Sequence, residues 1–323
     1  MAPVARRRAV GMSVTARVNA ILRTGILRAA DDRHVRSFMG RYGMRLGAAR
    51  FVAGETLDEC VVVLRRLAEQ GFHANTTLLG ESVRDPAEAA AVADEYTRIL
   101  ERLHAEQLPV NVALKLTHLG LDLDEELAFA NVERVVIAAE RLRSFVRIDM
   151  EQSSVLEATL RIFRRLRERG HDRVGTVLQS YLFRTENDLE ALLPLEPNLR
   201  FVKGAYLEPP EIAFPDKADV DAAYARLVER ALVGGAYVAI ATHDKPLLRR
   251  LLAFAERHGI PRDRFELQML YGVRQRLQLE LLHEGYKVLV ATPYGPEWYP
   301  YLMRRLAERP ANLGFIARNL VRR

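Results

Sequence analysis

The sequence predicts an α/β protein, a (β/α)8 barrel of the TIM type with extra helices at its amino terminus. Three observations carry that prediction. Eight short apolar or β-branched runs alternate with amphipathic helical patterns, the signature of parallel βα units. Strand number and total length favour closure into a barrel over an open doubly wound sheet. No GxGxxG follows the early strands, which removes the main sign of a dinucleotide-binding open sheet.

The strand runs are Phe72–Leu79, Val110–Leu116, Phe145–Met150, Gly175–Ser180, Leu199–Tyr206, Tyr237–His243, Phe265–Leu270 and Lys287–Pro293. Helical patterns cover Thr56–Gln70, Pro86–Glu106, Glu125–Leu142, Thr159–Arg169, Asp219–Leu232, Lys245–His258 and Val273–His283. Asp or Thr stands near several helix starts, and glycine follows at Gln70-Gly71, Arg169-Gly170 and His258-Gly259. These are start and stop signals with a physical basis in capping. Residues 1–50 precede the barrel and are expected to form a helical extension packed on it; residues 51–323 are expected to be the barrel domain. No Gly/Ser- or Pro-rich linker divides the chain.

Composition excludes several classes. Of the 323 residues, 49% are hydrophobic and 28% charged, an ordinary globular balance. Cys60 is the only cysteine, so neither an intrachain disulfide nor a Cys-based metal cluster can form, and no metal site is expected. The net charge of +6 comes from arginine-rich runs such as RRLRERG that sit on helical patterns with Glu nearby, which reads as solvated helix faces. No nucleic-acid partner is expected, because a contiguous basic face with interleaved aromatics is lacking. No run is long and apolar enough for a membrane span, and the amino terminus lacks a secretory h-region. The expected location is cytoplasmic, with peripheral contact at the inner face of the cell membrane left open through the basic stretch Val14–Arg28.

In a TIM-type barrel the C-terminal strand ends build the active site. Those ends supply Glu81, Lys115, Asp149, Gln179, Lys203 with Tyr206, Thr242 with His243, Gln268 with Tyr271, and Tyr294. Each residue alone could be a satisfied structural polar group. A full ring of ionisable groups on one side of a barrel needs partners or a ligand to offset desolvation. After the last strand, Glu297–Glu308 reads as a helix bearing the adjacent Arg304 and Arg305, which point about 100° apart. A guanidinium there suits a carboxylate clamp, and a solvated face is the plainer alternative.

The motifs at these strand ends resemble one family. LKLTHLGLDLD (Leu114–Asp124), RIDME (Arg147–Glu151), VLQSYLFRTENDL (Val177–Leu189), RFVKGAYLEPPE (Arg200–Glu211), AIATHD (Ala239–Asp244), FELQMLYGV (Phe265–Val273) and EWYPYLMRRLAERPAN (Glu297–Asn312) are similar to proline dehydrogenases of the short, monofunctional bacterial type. The resemblance implies an FAD enzyme that oxidises L-proline to Δ1-pyrroline-5-carboxylate, moving hydride from C5 to flavin N5. It implies quinone as electron acceptor and hand-over of product to a separate pyrroline-5-carboxylate dehydrogenase. Matched by motif, Lys115, Arg304 and Arg305 bind the substrate carboxylate, and Asp149 and Arg200 are active-site residues. Met150, Gln179, Arg200, Val202, Lys203, Gly204, Ala205, Thr242, His243 and Gln268 are the expected flavin contacts. Tyr271 and Ala291 are expected at the substrate, and Glu81 is expected to pair with Arg304 to gate the site.

One departure from the family pattern concerns Ala291, which stands where the family has a tyrosine against the substrate ring. Either a neighbour such as Tyr294 fills the space and proline remains the substrate, or the site accepts 4-hydroxyproline or another cyclic amino acid. A more distant alternative is a Schiff-base lyase using Lys203 or Lys115 as nucleophile. A basic, non-enzymatic binding protein is the third class, and it leaves the ring of strand-end residues unexplained.

Overall fold

The computed structural model describes residues 47–308 and, before them, Met39, Gly43 and Met44. The expected helical extension over 1–50 therefore lies almost wholly outside the described residues. The chain divides into two compact units, Arg50–Trp298 and the combination of Met1–Ala49 with Tyr299–Arg323.

In the first unit, eight parallel strands close into a barrel in sequence order, with the eighth bonded back to the first. They are β1 (His73–Leu78), β2 (Val110–Leu114), β3 (Val146–Ile148), β4 (Val174–Gln179), β5 (Asn198–Val202), β6 (Tyr237–Ala241), β7 (Phe265–Leu270) and β8 (Val288–Tyr294). The helices are α1 (Leu57–Glu69), α2 (Pro86–Ala105), α3 (Glu125–Arg141), α4 (Ser153–Glu168), α5 (Thr185–Leu192), α6 (Lys217–Val233), α7 (Lys245–Arg257) and α8 (Gln275–His283). Capping explains where several begin. Thr56 and Glu59 form a reciprocal capping box on α1, and Asp85, Asp124 and Asp244 accept backbone N–H bonds at the starts of α2, α3 and α7.

Two elements depart from the sequence expectation. Helix α5 has no counterpart in it, because eight residues give too few apolar repeats to read. Helix α4 starts at Ser153, not Thr159, since its first turn is polar and its amphipathic pattern becomes visible only later. All eight strands lie at the expected places in the chain, but β5 ends at Val202, so Lys203 and Tyr206 follow the strand rather than end it.

Strand alternation decides what each residue does. The outward set, such as Val110, Val112 and Leu114 on β2, is buried under the helices in one continuous core. Register fixes the inward set: Asn75 pairs with Ala291, Val177 with Arg200, and Gln268 with Leu289. At the N-terminal end of the barrel these inward residues form a charged floor. Glu266 lies 2.9 Å from Lys287 and accepts from the Tyr237 hydroxyl at 3.0 Å and from Gln268 at 2.6 Å. Arg147, also buried, donates to the Thr176 and Asn198 carbonyls at 2.9 and 2.7 Å. Burial pushes the Glu266 carboxyl upward, but Lys287, Gln268 and Arg147 outweigh it and hold the group below the usual range.

The arginine-rich runs have a more specific use than solvated faces. Ion pairs connect each neighbouring helix pair from α1 to α8: Arg102–Asp58, Arg141–Glu101, Arg161–Glu125, Arg184–Glu157, Arg230–Glu190, Arg250–Glu229 and Lys245–Glu280. Single exposed pairs contribute little, so the belt matters as a network around the barrel.

Candidate active site

The loop after β1 and the end of β2 bring Glu81 and Lys115 together. Lys115 continues the inward set of β2 (Asn111, Ala113), and its ammonium is hydrogen-bonded to the Glu81 carboxylate. Beside this pair His118 is buried, its ring packed so close to Gly80 that a Cβ there would lie 2.3 Å away. Burial, reinforced by the Lys115 charge, lowers the His118 pKa to about 4, so the ring is neutral at pH 7.

Asp149 follows β3, and the Leu114 carbonyl holds its backbone N–H at 2.8 Å. Its carboxylate accepts from Arg200 Nη1 at 2.6 Å, joining strands β3 and β5 across the inside of the barrel. Gln179 on the intervening β4 donates through Nε2 to the Met150 carbonyl at 3.4 Å. Four buried polar atoms on inward residues have no hydrogen-bond partner among the described residues: Asn75 Oδ1, Gln179 Oε1, Arg200 Nε and Gln268 Oε1. Such orphans are costly in a finished protein interior and mark a barrel prepared for a polar guest.

His243, at the end of β6, accepts the Leu270 N–H on Nε2 at 3.0 Å. That bond places the proton of the neutral ring on Nδ1. Val202 ends β5, and Gly204 turns the chain with φ +116 where a Cβ would meet the Tyr181 ring at 2.3 Å. Ala205 is half-buried beside it.

Alternation separates the expected site residues into two groups. Lys115, Asp149, Gln179, Arg200, Val202, His243, Gln268 and Ala291 belong to the inward set. Met150, Lys203 and Thr242 belong to the outward one. The Met150 side chain is in the hydrophobic core, leaving its backbone as the part nearest the barrel axis. Lys203 reaches Asp221 at 2.5 Å and Asp244 at 3.1 Å, and Thr242 Oγ1 accepts from the Asp244 N–H at 3.2 Å.

Two expectations need correction. Leu270 pairs with the inward Ala291, so Tyr271, one residue on, turns outward, where Arg66 and Cys60 of α1 act on its phenol. It does not face a substrate inside the barrel. Tyr294 likewise cannot fill the space beside Ala291: three residues apart on one strand, the two lie on opposite faces. Its ring is buried, with Cys60, Glu95 and Arg98 as electrostatic neighbours. Arg304 and Arg305 lie on α9 (Trp298–Glu308), with the Arg305 guanidinium 5.4 Å from the centre of the Tyr301 ring.

Sequence reasoning passed over Asn75, Glu208 and Glu266. Asn75 is inward beside Ala291, with a buried Oδ1 lacking a partner. Glu266 stands two residues before Gln268 on the same strand, which was its available signal.

Comparison with known proteins agrees with the barrel fold. The family model described as proline dehydrogenase matches residues 60–318. Proline dehydrogenase 1 of Bacillus subtilis (strain 168) is 40% identical over 303 residues, covering 94% of this chain and 100% of that protein. The proline dehydrogenase of Deinococcus radiodurans is 40% identical over 309 residues, 94% of this chain and 99% of its own. Among solved structures, proline utilization A from Bdellovibrio bacteriovorus, inactivated by N-propargylglycine, is similar with a TM-score of 0.77. It is 25% identical and is matched over 91% of this chain and 37% of that one.

Proposed function

The chain belongs to the proline dehydrogenase family, and on that premise we propose that it oxidises L-proline to Δ1-pyrroline-5-carboxylate using FAD. The observation that carries the reading is the Asp149–Arg200 pair bridging β3 and β5, with Lys115 inward on the neighbouring strand. The orphaned Gln179 Oε1, Arg200 Nε and Gln268 Oε1 suit a cofactor with both donors and acceptors along its edge, so the residues present fit FAD.

Bound FAD would supply the hydride acceptor for the proline C5–H. The protein's own share is positioning and electrostatics. Lys115 offers an ammonium to the substrate carboxylate once Glu81 yields it, and the family motif adds Arg304 and Arg305 to that role. Gating by Glu81 with Arg304 belongs to the same proposal. Arg200, anchored by Asp149, would offer a positive charge to stabilise the negative charge of a reduced flavin. Gln179, Val202, Gly204, Ala205, His243 and Gln268 would line the cofactor, with Met150 contributing backbone. Lys203 and Thr242 would support it from behind through Asp221 and Asp244. Electrons would pass to quinone and product to a separate dehydrogenase. No described helix is long and apolar enough to cross a membrane.

The test is an absorption spectrum of the purified protein with added FAD, followed by anaerobic addition of L-proline. A flavin spectrum that bleaches with proline is expected. Failure to take up FAD would overturn the reading, and a covalent adduct trapped by borohydride would point instead to lysine chemistry.

A further inference from the structure

Helix α4 begins without a cap of its own. Gln152 at its cap position makes no side-chain hydrogen bond, and no acidic residue stands in its first turn. The cap comes instead from a residue 55 positions away. Glu208 Oε1 accepts from the Ser153 N–H at 2.7 Å, and Oε2 accepts from the Ser153 hydroxyl at 2.6 Å. A carboxylate at the positive end of a helix, holding two donors, makes charge-assisted bonds of the stronger kind.

Glu208 sits on the loop that follows β5. That loop turns at Gly204 over the Tyr181 ring, and just beyond Glu208 the prolines Pro209 and Pro210 fix φ. Its far end is tied to the loop after β4, through Phe183 N–H to the Ile212 carbonyl at 3.0 Å and Phe214 N–H to the Tyr181 carbonyl at 2.7 Å. Helix α4 follows β3. The segment therefore runs from the end of β5, past β4, to the helix behind β3. It spans the ends of β3, β4 and β5, the strands that present Asp149, Gln179 and Arg200 to the barrel interior.

We infer that Glu208 is a positioning residue for the cofactor: its clasp on Ser153 holds Gly204–Tyr206 across the rim, and flavin leaves only when the clasp opens. The inference rests on the flavin reading above. Nothing in the reaction needs Glu208 to touch substrate, since its two oxygens are committed to Ser153. Leu207, next to it and 72% exposed, gives the segment an accessible cleavage point.

The experiment uses the full chain as wild type, Glu208→Gln and Ser153→Ala, each loaded with FAD. Flavin fluorescence on dilution gives the dissociation rate, and thermolysin gives the rate of cleavage at Leu207. Dissociation should rise about tenfold in Glu208→Gln and less in Ser153→Ala, which keeps the backbone bond. Cleavage at Leu207 should accelerate in the same order. A helix cap with no wider role would lower the thermal midpoints of the free and FAD-loaded proteins alike and leave the dissociation rate unchanged; that result overturns the inference. If Glu208→Gln does not fold, Ser153→Ala decides on the same readouts. Wild type that takes up no FAD would defeat the flavin reading itself, whereas wild type that binds FAD and variants that release it no faster would defeat only the clasp.

Discussion

The Asp149 carboxylate lies 2.6 Å from the Arg200 guanidinium, across the strand that separates them. The pair aims a cation at the barrel axis and keeps it fixed there. Replacing Asp149 with Asn removes the charge and lets Arg200 relax. We expect kcat/KM for L-proline to fall about 10²-fold, the usual cost of a misplaced catalytic group. Arg200→Lys should not preserve activity, because an ammonium lacks the guanidinium fork. Steady-state kinetics with an artificial acceptor measures both.

Ala291 is inward, half-buried and unfilled by Tyr294. Ala291→Tyr should therefore narrow the site. The ratio of kcat/KM for L-proline over trans-4-hydroxy-L-proline should rise by about tenfold, as expected for removing room for one substituent. A ratio that stays constant would show that the Ala291 side chain does not border the substrate ring.

The charged floor beneath the site depends on Glu266. Glu266→Ala would leave the buried Arg147 without its nearby carboxylate and would remove the partner of Lys287 at the exposed edge of the floor. Breaking one side of such a buried arrangement costs about 3–5 kcal/mol, measurable by urea unfolding. The Glu266 pKa is lowered by folding, so its contribution is present above the unfolded carboxyl range and is lost as pH falls through the folded value.

His118 gives a separate acid signature. Its pKa falls from 6.5 to about 4 on folding, because burial and then Lys115 oppose the charged ring, against the weaker pull of Glu88 and Glu81. The unfolded chain then binds more protons between those two values. Stability from this group is complete above pH 6.5 and is lost as pH drops towards about 4. In His118→Gln the urea midpoint should change less steeply across that window than in wild type; equal slopes would refute the assignment.

The barrel was legible in the sequence because closure of parallel strands needs only local signals repeated in order: apolar runs, amphipathic helices and Thr or Asp caps. The positions of Lys115, Asp149 and Gln179 at strand ends were legible for the same reason, whereas Arg200, in the middle of β5, was singled out only by the family motif. Helix α5 was not, since eight residues carry too little periodicity.

What the linear pattern could not decide was direction. Tyr271 follows Gln268 by three positions and looks like its companion, yet one step past an inward Leu270 it must face α1. Tyr294 fails as a substitute for the missing tyrosine at Ala291 by the same parity. Glu208 and Ser153 are 55 residues apart, and only the winding of β3, β4 and β5 side by side makes one the cap of the other. The sequence by itself determined the barrel, the family and the residue types at its mouth. The tertiary structure decided which of those side chains face inward, because barrel closure sets the register and register sets the face.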